Sequence, residues 1–363
     1  MNKYLLDCDS FRLMKTHSVT EGGMSRNLTI RNYLVGAMGY KPIEISGNST
    51  LSAFQAICFF LMHRNDQIFI MYPTRFFLMG GLNKANRWIG NMAVKAFMRA
   101  ARKNRVIMDV SDIKYEQFID LEIPCPDLNL IERRERSIFE SPIKFVFASS
   151  SMRNYAIQKY RIDEERCDVC INGGRVQDEN LCPESETIIN DIYDQYINCV
   201  YAGTLNKGRM IDKMLDCFSN LPTARLYLMG PMGEWIVEYI RKNNIQNVYY
   251  LGAKDEKVAH QIVSKCDLGL IPYDETRLYY NIAYPTKLSF YLTAGIPYLA
   301  TPVKEVKMLE GQGFGYIGSV NEWSSIISSH SKDELLVLKR KVNEKNQEFT
   351  WNTLLEKCKM MNI

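Results

Sequence analysis

The stretch YYNIAYPTKLSFYLTAGIP, from Tyr279 to Pro297, decides how the rest of the chain is read. Pro285 precedes a helical pattern, where its fixed φ and missing N–H suit a helix start. Lys287 falls in the first turn of a helix expected over Lys287–Ala294. Gly295 stops that helix, and beyond Pro297 a β-rich run follows at Tyr298–Ala300. A helix start leaves free N–H groups and a partial positive charge, and a lysine adds a full one, so this corner can hold a diphosphate. A solvated helix lysine is the plain alternative. The physics of the stretch alone leaves both readings standing.

Outward from it the same alternation recurs. Asn198–Tyr201, Ala224–Met229, Val248–Leu251 and Leu268–Ile271 read as strands, with helical patterns at Arg209–Ser219, Trp235–Asn243 and Glu256–Cys266 between them. The first half repeats the theme. Its strands are expected at Lys3–Asp7, Pro42–Ile45, Gln67–Met71, Arg105–Asp109 and Lys144–Ala148, its helices at Ser25–Met38, Thr50–His63 and Leu82–Asn104. Two series of strands alternating with helices predict an α/β chain with two doubly wound parallel sheets. The domains are expected at 1–176 and 177–345, with 346–363 a C-terminal helical tail returning to the first. The polar stretch Gly173–Glu186 is the expected boundary. Open α/β sheets bind ligands at the carboxyl ends of their strands, so chemistry is sought in those loops. No G-x-G-x-x-G follows the first strand and no G-x4-G-K-[ST] occurs, which counts against a nicotinamide dehydrogenase and a P-loop ATPase.

Composition sets the outer limits. The chain has 363 residues, 46% hydrophobic and 24% charged, which suits two globular domains and excludes disorder, collagen and coiled coil. The longest apolar run, around Ala53 to Met62, is about half the ~20 residues a spanning helix needs. The start, MNKYLLDCDSF, carries acids where a signal peptide is basic and then apolar, so a cytoplasmic protein is expected. Of ten cysteines only Cys167 and Cys170 form a C-x2-C pair, and four histidines are dispersed, so no metal site is expected. Charge is uneven: residues 1–176 are net +7 and residues 177–363 net −3. Much of the excess lies in 82–105, where seven Lys or Arg residues stand without an acid. Leu82, Ala85, Trp88, Ile89, Met92, Ala93 and Ala96 are expected to form one apolar face there. Such a helix can lie on anionic lipid at the inner face of a membrane, or present a solvated basic face while packing on a core. Nucleic acid is not expected as a partner, because no aromatic-rich basic motif accompanies the charge.

The motifs resemble a known family. NIAYPTKLSFYLTAGIP is similar to the nucleotide-sugar-binding segment of GT-B glycosyltransferases, in which P-x-K-x-x-x-Y-L opens the helix and A-G-x-P closes it. SKCDLGLIPYD (Ser264–Asp274), YYLGAKDEKVAH (Tyr249–His260) and YAGTLNKGRMIDKML (Tyr201–Leu215) resemble three further segments of that family in the right order. The version here looks family-four-like and is most similar to a bacterial subgroup of glucosyltransferases and galactofuranosyltransferases that extend surface glycans. The resemblance implies a GT-B architecture, two Rossmann-like domains facing a central cleft. It also implies Gly203, Thr204, Lys207, Gly252, Asn281, Tyr284, Lys287 and Ser289 as donor-site residues. Phe290 departs from the family-four glutamate that binds the donor ribose.

In the first half, Gly22 and Gly23 precede a helix expected from Ser25, where paired glycines let backbone approach an anion. An ordinary turn capped by Ser25 is the alternative. The family parallel makes this loop a donor contact. Ser111-Asp112-Ile113 stands where the subgroup has H-D-I, so Asp112 is the candidate catalytic base, or a simple helix cap. Arg75 and Arg153 follow strands and are the acceptor-side candidates.

The function so implied is a metal-independent hexosyltransferase without a cofactor. It would move a sugar from a nucleotide diphosphate sugar, a UDP-sugar, to a hydroxyl of a glycan, glycolipid or glycoprotein in bacterial surface polysaccharide or glycoprotein synthesis. A catalytically degenerate subunit that stabilises a partner transferase and a UDP-sugar 2-epimerase-like enzyme are the alternatives.

Overall fold

Gln67–Tyr72, QIFIMY, is buried along its whole length, as a strand covered on both faces must be. In the computed structural model it is one of twelve strands described, in two parallel sheets of six. The structure describes residues 1–7, 22–77, 84–125, 127–176, 178, 180–192, 195–205 and 209–362, the side chains at 7, 22–24 and 84–86 excepted.

The first sheet holds β1 (Lys3–Asp7), β2 (Lys41–Glu44), β3 (Gln67–Tyr72), β4 (Arg105–Val110), β5 (Lys144–Phe147) and β6 (Cys167–Val169), in the order β2-β1-β3-β4-β5-β6. Its main helices are α1 (Gly22–Gly36), α2 (Ser49–Met62), α3 (Lys84–Ala101), α4 (Lys114–Asp120), α5 (Leu128–Phe139) and α6 (Ser150–Tyr160). The second holds β7 (Ile197–Ala202), β8 (Ala224–Met229), β9 (Val248–Tyr250), β10 (Leu268–Ile271), β11 (Tyr298–Ala300) and β12 (Gly315–Ile317), in the order β12-β11-β10-β7-β8-β9. Its helices include α7 (Pro183–Asn190), α8 (Ile211–Ser219), α9 (Glu234–Lys242), α10 (Glu256–Lys265), α11 (Leu278–Ile282) and α12 (Thr286–Thr293). Then come α13 (Lys304–Lys307), α14 (Trp323–Ser328), α15 (Lys332–Lys345) and α16 (Trp351–Lys357). No helix among the described residues is long and apolar enough to cross a membrane.

The chain divides into two compact units. Gly23–Ile171 with the N-terminal strand and Leu355–Ile363 form one, and Asn172–Leu354 forms the bulk of the other. In the first, the tail is pinned where the Met360 N–H donates to Asp168 Oδ2 at 3.0 Å, and Met361 is buried. In the second, α8 and α9 pack on one face of the sheet through Leu215, Phe218 and Ile236. Trp323 is fully buried there too, its indole N–H donating to the Gly318 carbonyl at 2.9 Å. Ser331 and Glu334 form a reciprocal capping box that starts α15.

Three local expectations are corrected. The helix expected from Ser25 begins at Gly22, so both glycines belong to its first turn rather than to a loop, and Ser25 does not cap it. Two strands, β6 and β12, lie where none was expected; each has three residues and sits at a sheet edge, too short for an apolar run to mark it. The single apolar face expected for the 82–105 helix is split. Ala93 and Ala96 are buried, Ile89 is half-buried, and Trp88 and Met92 face solvent beside Lys95 and Arg99. Leu82 lies outside the described residues, and the Ala85 side chain is not among them.

Candidate active site

In the second unit the chain runs from β7 through β8 to β9 on one side and then returns to place β10 on the other side of β7. That reversal makes the β7–β10 boundary the switch point at which an open sheet offers a crevice at its carboxyl ends. Gly203 follows β7 and Tyr273 follows β10, so both stand at this boundary.

Gly203 adopts φ +148° and Gly230, at the end of β8, φ +150°. A Cβ at Gly230 would lie 1.9 Å from the Gly203 carbonyl oxygen, so only glycine lets these two backbones meet. The Gly203 N–H donates to Met229 O at 2.8 Å and the Gly230 N–H to Gly252 O at 3.0 Å, so three strand ends are tied in series. Gly252 has φ +75° and open space where a Cβ would point. The Thr204 carbonyl accepts the Tyr201 hydroxyl at 2.9 Å.

Lys287 reaches this corner from the first turn of α12, whose start at Pro285 follows from the proline's fixed φ. Its stem fills the space a Gly203 side chain would take: a Cβ there would lie 2.7 Å from both Lys287 Cε and Nζ. The lysine is 5% exposed. Its ammonium lies 4.8 Å from the Tyr201 ring centroid and 5.4 Å from that of Tyr273, and donates weakly to the Tyr273 hydroxyl at 3.5 Å. Tyr273 in turn stacks on Tyr280, with centroids 4.8 Å apart. Arg209 shares the pocket, hydrogen-bonding the Tyr201 hydroxyl. No carboxylate pairs with Lys287 or Arg209 among the described residues. Burial, reinforced by the Arg209 charge, holds the Lys287 pKa well below the usual lysine range.

Two cations thus stand among three tyrosines with no carboxylate pairing them among the described residues. Buried charges are ordinarily paired, because taking an ion out of water costs several kcal/mol. A nucleotide diphosphate supplies such charge, and the first-turn N–H groups of α12 add to its attraction.

The other expected donor residues divide. Lys207 lies outside the described residues. Tyr284 and Ser289 are buried and bond each other, hydroxyl to hydroxyl, at 2.7 Å. Asn281 spends its amide hydrogens on the carbonyls of Glu275 and Arg277, at 3.0 Å for the latter, and so braces the loop after β10. These three hold the elements that carry Tyr273 and Lys287. Phe290 packs edge-on against His260, 5.2 Å between centroids, and His260 Nε2 lies 3.3 Å from Thr293 Oγ1. Arg209 and the tyrosines were not among the expected site residues. Arg209 stands two positions after Lys207 in the same loop, and only the fold shows that its side chain meets Tyr201.

In the first unit, Arg26 of α1 is buried and grips Asp109 of β4 through two hydrogen bonds, at 3.0 and 2.5 Å, with a third to Cys170 O at 2.8 Å. The pair anchors the helix that Gly22 and Gly23 begin. Asp112 is half-buried just past the end of β4, where its Oδ2 accepts Ser111 Oγ at 3.3 Å. Arg75 donates to the Gly47 carbonyl at 2.8 Å, and Arg153 pairs with Glu164 at 2.5 Å. Deeper in the unit, Glu135 accepts Tyr72 and Tyr160 hydroxyls and the Lys114 N–H at 2.6, 2.9 and 2.7 Å, which fixes the start of α4 beyond Asp112.

No protein-family model and no curated protein matches this sequence. Solved structures do match. A glycosyltransferase from Rickettsia africae superposes with a TM-score of 0.66 at 15% identity, covering 98% of this chain and 97% of that one. HepE of Anabaena, solved with UDP-glucose, gives 0.65 at 13% identity over 98% of both chains. WaaG, a glycosyltransferase involved in lipopolysaccharide biosynthesis, gives 0.56 at 15% identity over 87% of this chain and 95% of that one. At these identities the likeness establishes the fold: two Rossmann-like units of the GT-B class, as the family resemblance implied.

Proposed function

We propose that this protein is a glycosyltransferase that moves a hexosyl group from a nucleotide diphosphate sugar, a UDP-sugar, to an acceptor hydroxyl. The observation that carries the reading is the buried Lys287 ammonium beside Arg209 with no carboxylate partner among the described residues, at the switch point of a GT-B unit. That structures of similar fold hold UDP and UDP-glucose supports the choice of donor.

As the glycosidic bond breaks, negative charge develops on the leaving diphosphate. Lys287 and Arg209, with the α12 N–H groups, are placed to stabilise it, and Lys207 would join them. Since these groups can answer the charge, the reaction needs no protein-held metal. Gly22 and Gly23 would offer first-turn N–H groups of α1 to the donor. Asp112 would take the acceptor proton, with Arg75 and Arg153 on the acceptor side. A glycan, glycolipid or glycoprotein acceptor in bacterial surface polysaccharide or glycoprotein synthesis agrees with the lipopolysaccharide role of WaaG.

A nucleotide-sugar panel tests this by thermal shift and by release of free nucleotide, on wild type and Lys287→Ala. A UDP-sugar should stabilise the wild type, be slowly hydrolysed, and lose both effects in the variant. Absence of any nucleotide effect sinks the proposal. Phe290, packed on His260 where a ribose-binding carboxylate would stand, favours a second reading: a donor-binding subunit without turnover. Stabilisation without nucleotide release, unchanged in Asp112→Asn, would select it.

A further inference from the structure

Helix α2, STLSAFQAICFFLM, contains no Lys, Arg, Asp or Glu, yet only one side of it is covered. Ala53, Ala56, Phe59 and Phe60 are buried. Leu51, Phe54, Leu61 and Met62 point the other way, with Phe54 56% and Met62 72% exposed. Their spacing of three, seven and one places them on one helical face. A solvated helix carries charge there; this one carries hydrocarbon.

The adjoining helix continues the surface. The chain moves in the same direction across the sheet from β2 to β3 and from β3 to β4, so right-handed crossovers put α2 and α3 on the same side of it. Ala53 and Ala93, flanked by Ile57 and Ile89, pack the two helices together. On the outward side of α3, Trp88, Met92, Lys95 and Arg99 follow at four, three and four residues, one stripe passing from apolar to basic. Trp88 is 68% exposed. Arg102 and Lys103, just past the helix, are also exposed. Neither helix holds an acid, and none of Lys95, Arg99, Arg102 and Lys103 has a carboxylate partner among the described residues. Arg87 is the exception, paired with Asp127 at 3.1 Å.

We propose that the outward face of α2 and α3 docks on an anionic phospholipid bilayer, lying in the plane of the surface with Phe54, Met62 and Trp88 among the acyl chains. Charge complementarity selects this occupant. The apolar side chains match the interfacial hydrocarbon, and the unpaired cations match anionic headgroups, a combination that binds lipid more strongly than either alone. The surface is wider than the basic segment 82–105 singled out by charge, because its most exposed apolar residue is on α2. The inference goes beyond the donor reading and does not depend on it, since nucleotide binding is measured without lipid.

Flotation of the full chain with vesicles of phosphatidylcholine, alone or mixed with phosphatidylglycerol, tests the proposal. Binding should appear with the mixed vesicles, weaken in high salt, and fall to the lipid-free background in the pair Phe54→Glu/Trp88→Glu. Because both residues are exposed, this variant should melt as wild type does. Brominated lipid should quench Trp88 fluorescence, the quenching lost in Trp88→Phe while flotation is kept. Equal binding to neutral vesicles, or none to either, overturns the proposal. So does a concentration-dependent dimer, seen by sedimentation and broken by Phe54→Glu, which would make this face a self-association surface.

Discussion

Replacing Lys287 with methionine should affect the free protein and its nucleotide complex in opposite directions. Methionine keeps an unbranched stem against the Gly203 backbone and the rings of Tyr201 and Tyr273, and removes only the charge. In the free protein the ammonium gains ring contacts, worth about 2 kcal/mol when desolvated, and one 3.5 Å hydroxyl contact. Against them stand an ion's burial, costing several kcal/mol, and repulsion from Arg209. The variant should therefore melt no lower than wild type. In the proposed UDP complex the lysine would make a charge-assisted hydrogen bond to phosphate, worth about 1.5–3 kcal/mol, so the variant should bind UDP about 10- to 150-fold more weakly. A linked effect follows from the low pKa of the free lysine. The diphosphate charge would raise it again, so at pH values between the free and the bound pKa binding takes up a proton, and affinity falls as pH rises through the free protein's Lys287 pKa. Calorimetry of UDP across a pH series, in two buffers of different ionisation enthalpy at each pH, reads that uptake directly, and Lys287→Met should abolish it. A variant that melts well below wild type while keeping UDP affinity would refute the reasoning and make Lys287 a packing residue.

Gly203→Ala should lower stability and UDP affinity together: φ +148° strains any side chain by about 1–3 kcal/mol, and the new methyl would drive into the Lys287 ammonium. Arg26→Met leaves Asp109 buried without its partner and should cost about 3–5 kcal/mol in urea unfolding, most of it recovered in the double variant with Asp109→Leu. His260 is pushed down from 6.5 to about 4 by burial and by Arg175. As pH falls from 6.5 towards 4 the unfolded chain takes the proton first, so about 3 kcal/mol present above that window is lost across it. His260→Asn should flatten this part of the stability–pH curve relative to wild type, and a parallel pair of curves would count against it.

The alternation of strands and helices was legible because parallel strands covered on both faces are continuous apolar runs, and Gln67–Met71 and Ala224–Met229 read that way without help from the fold. Three-residue edge strands have no such run, so CDV at Cys167 and GYI at Gly315 passed unnoticed. The α3 helix misled for a different reason. Alanine, isoleucine, methionine and tryptophan all count as apolar in a pattern, but alanine lets two helices approach closely, and it is Ala93 that meets Ala53 of α2. The larger Trp88 and Met92 were then free to point outward, which no periodicity of α3 alone could disclose.

Legibility of the candidate site follows the same division between local and distant information. Lys287 could be found because a proline, a helix start and a lysine lie within three consecutive residues, and the reason for their conjunction is local. The cage around it is assembled from Tyr201 at the end of β7, Arg209 in the loop beyond, and Tyr273 and Tyr280 after β10, residues up to 86 positions from the lysine. Their convergence is set by strand order, since β10 lies next to β7 although two strands intervene in sequence. The same order explains why bulk charge pointed elsewhere. The proposed diphosphate site has two cations that no carboxylate pairs among the described residues, in a half that carries a net negative charge. Much of the first half's surplus lies on an exposed helix face, where it would add long-range attraction to the proposed lipid surface rather than form a binding pocket. The +7 and −3 halves thus fit the two proposed kinds of anion recognition: one enclosed and specific at Lys287 and Arg209, the other exposed and dependent on salt at Lys95 and Arg99.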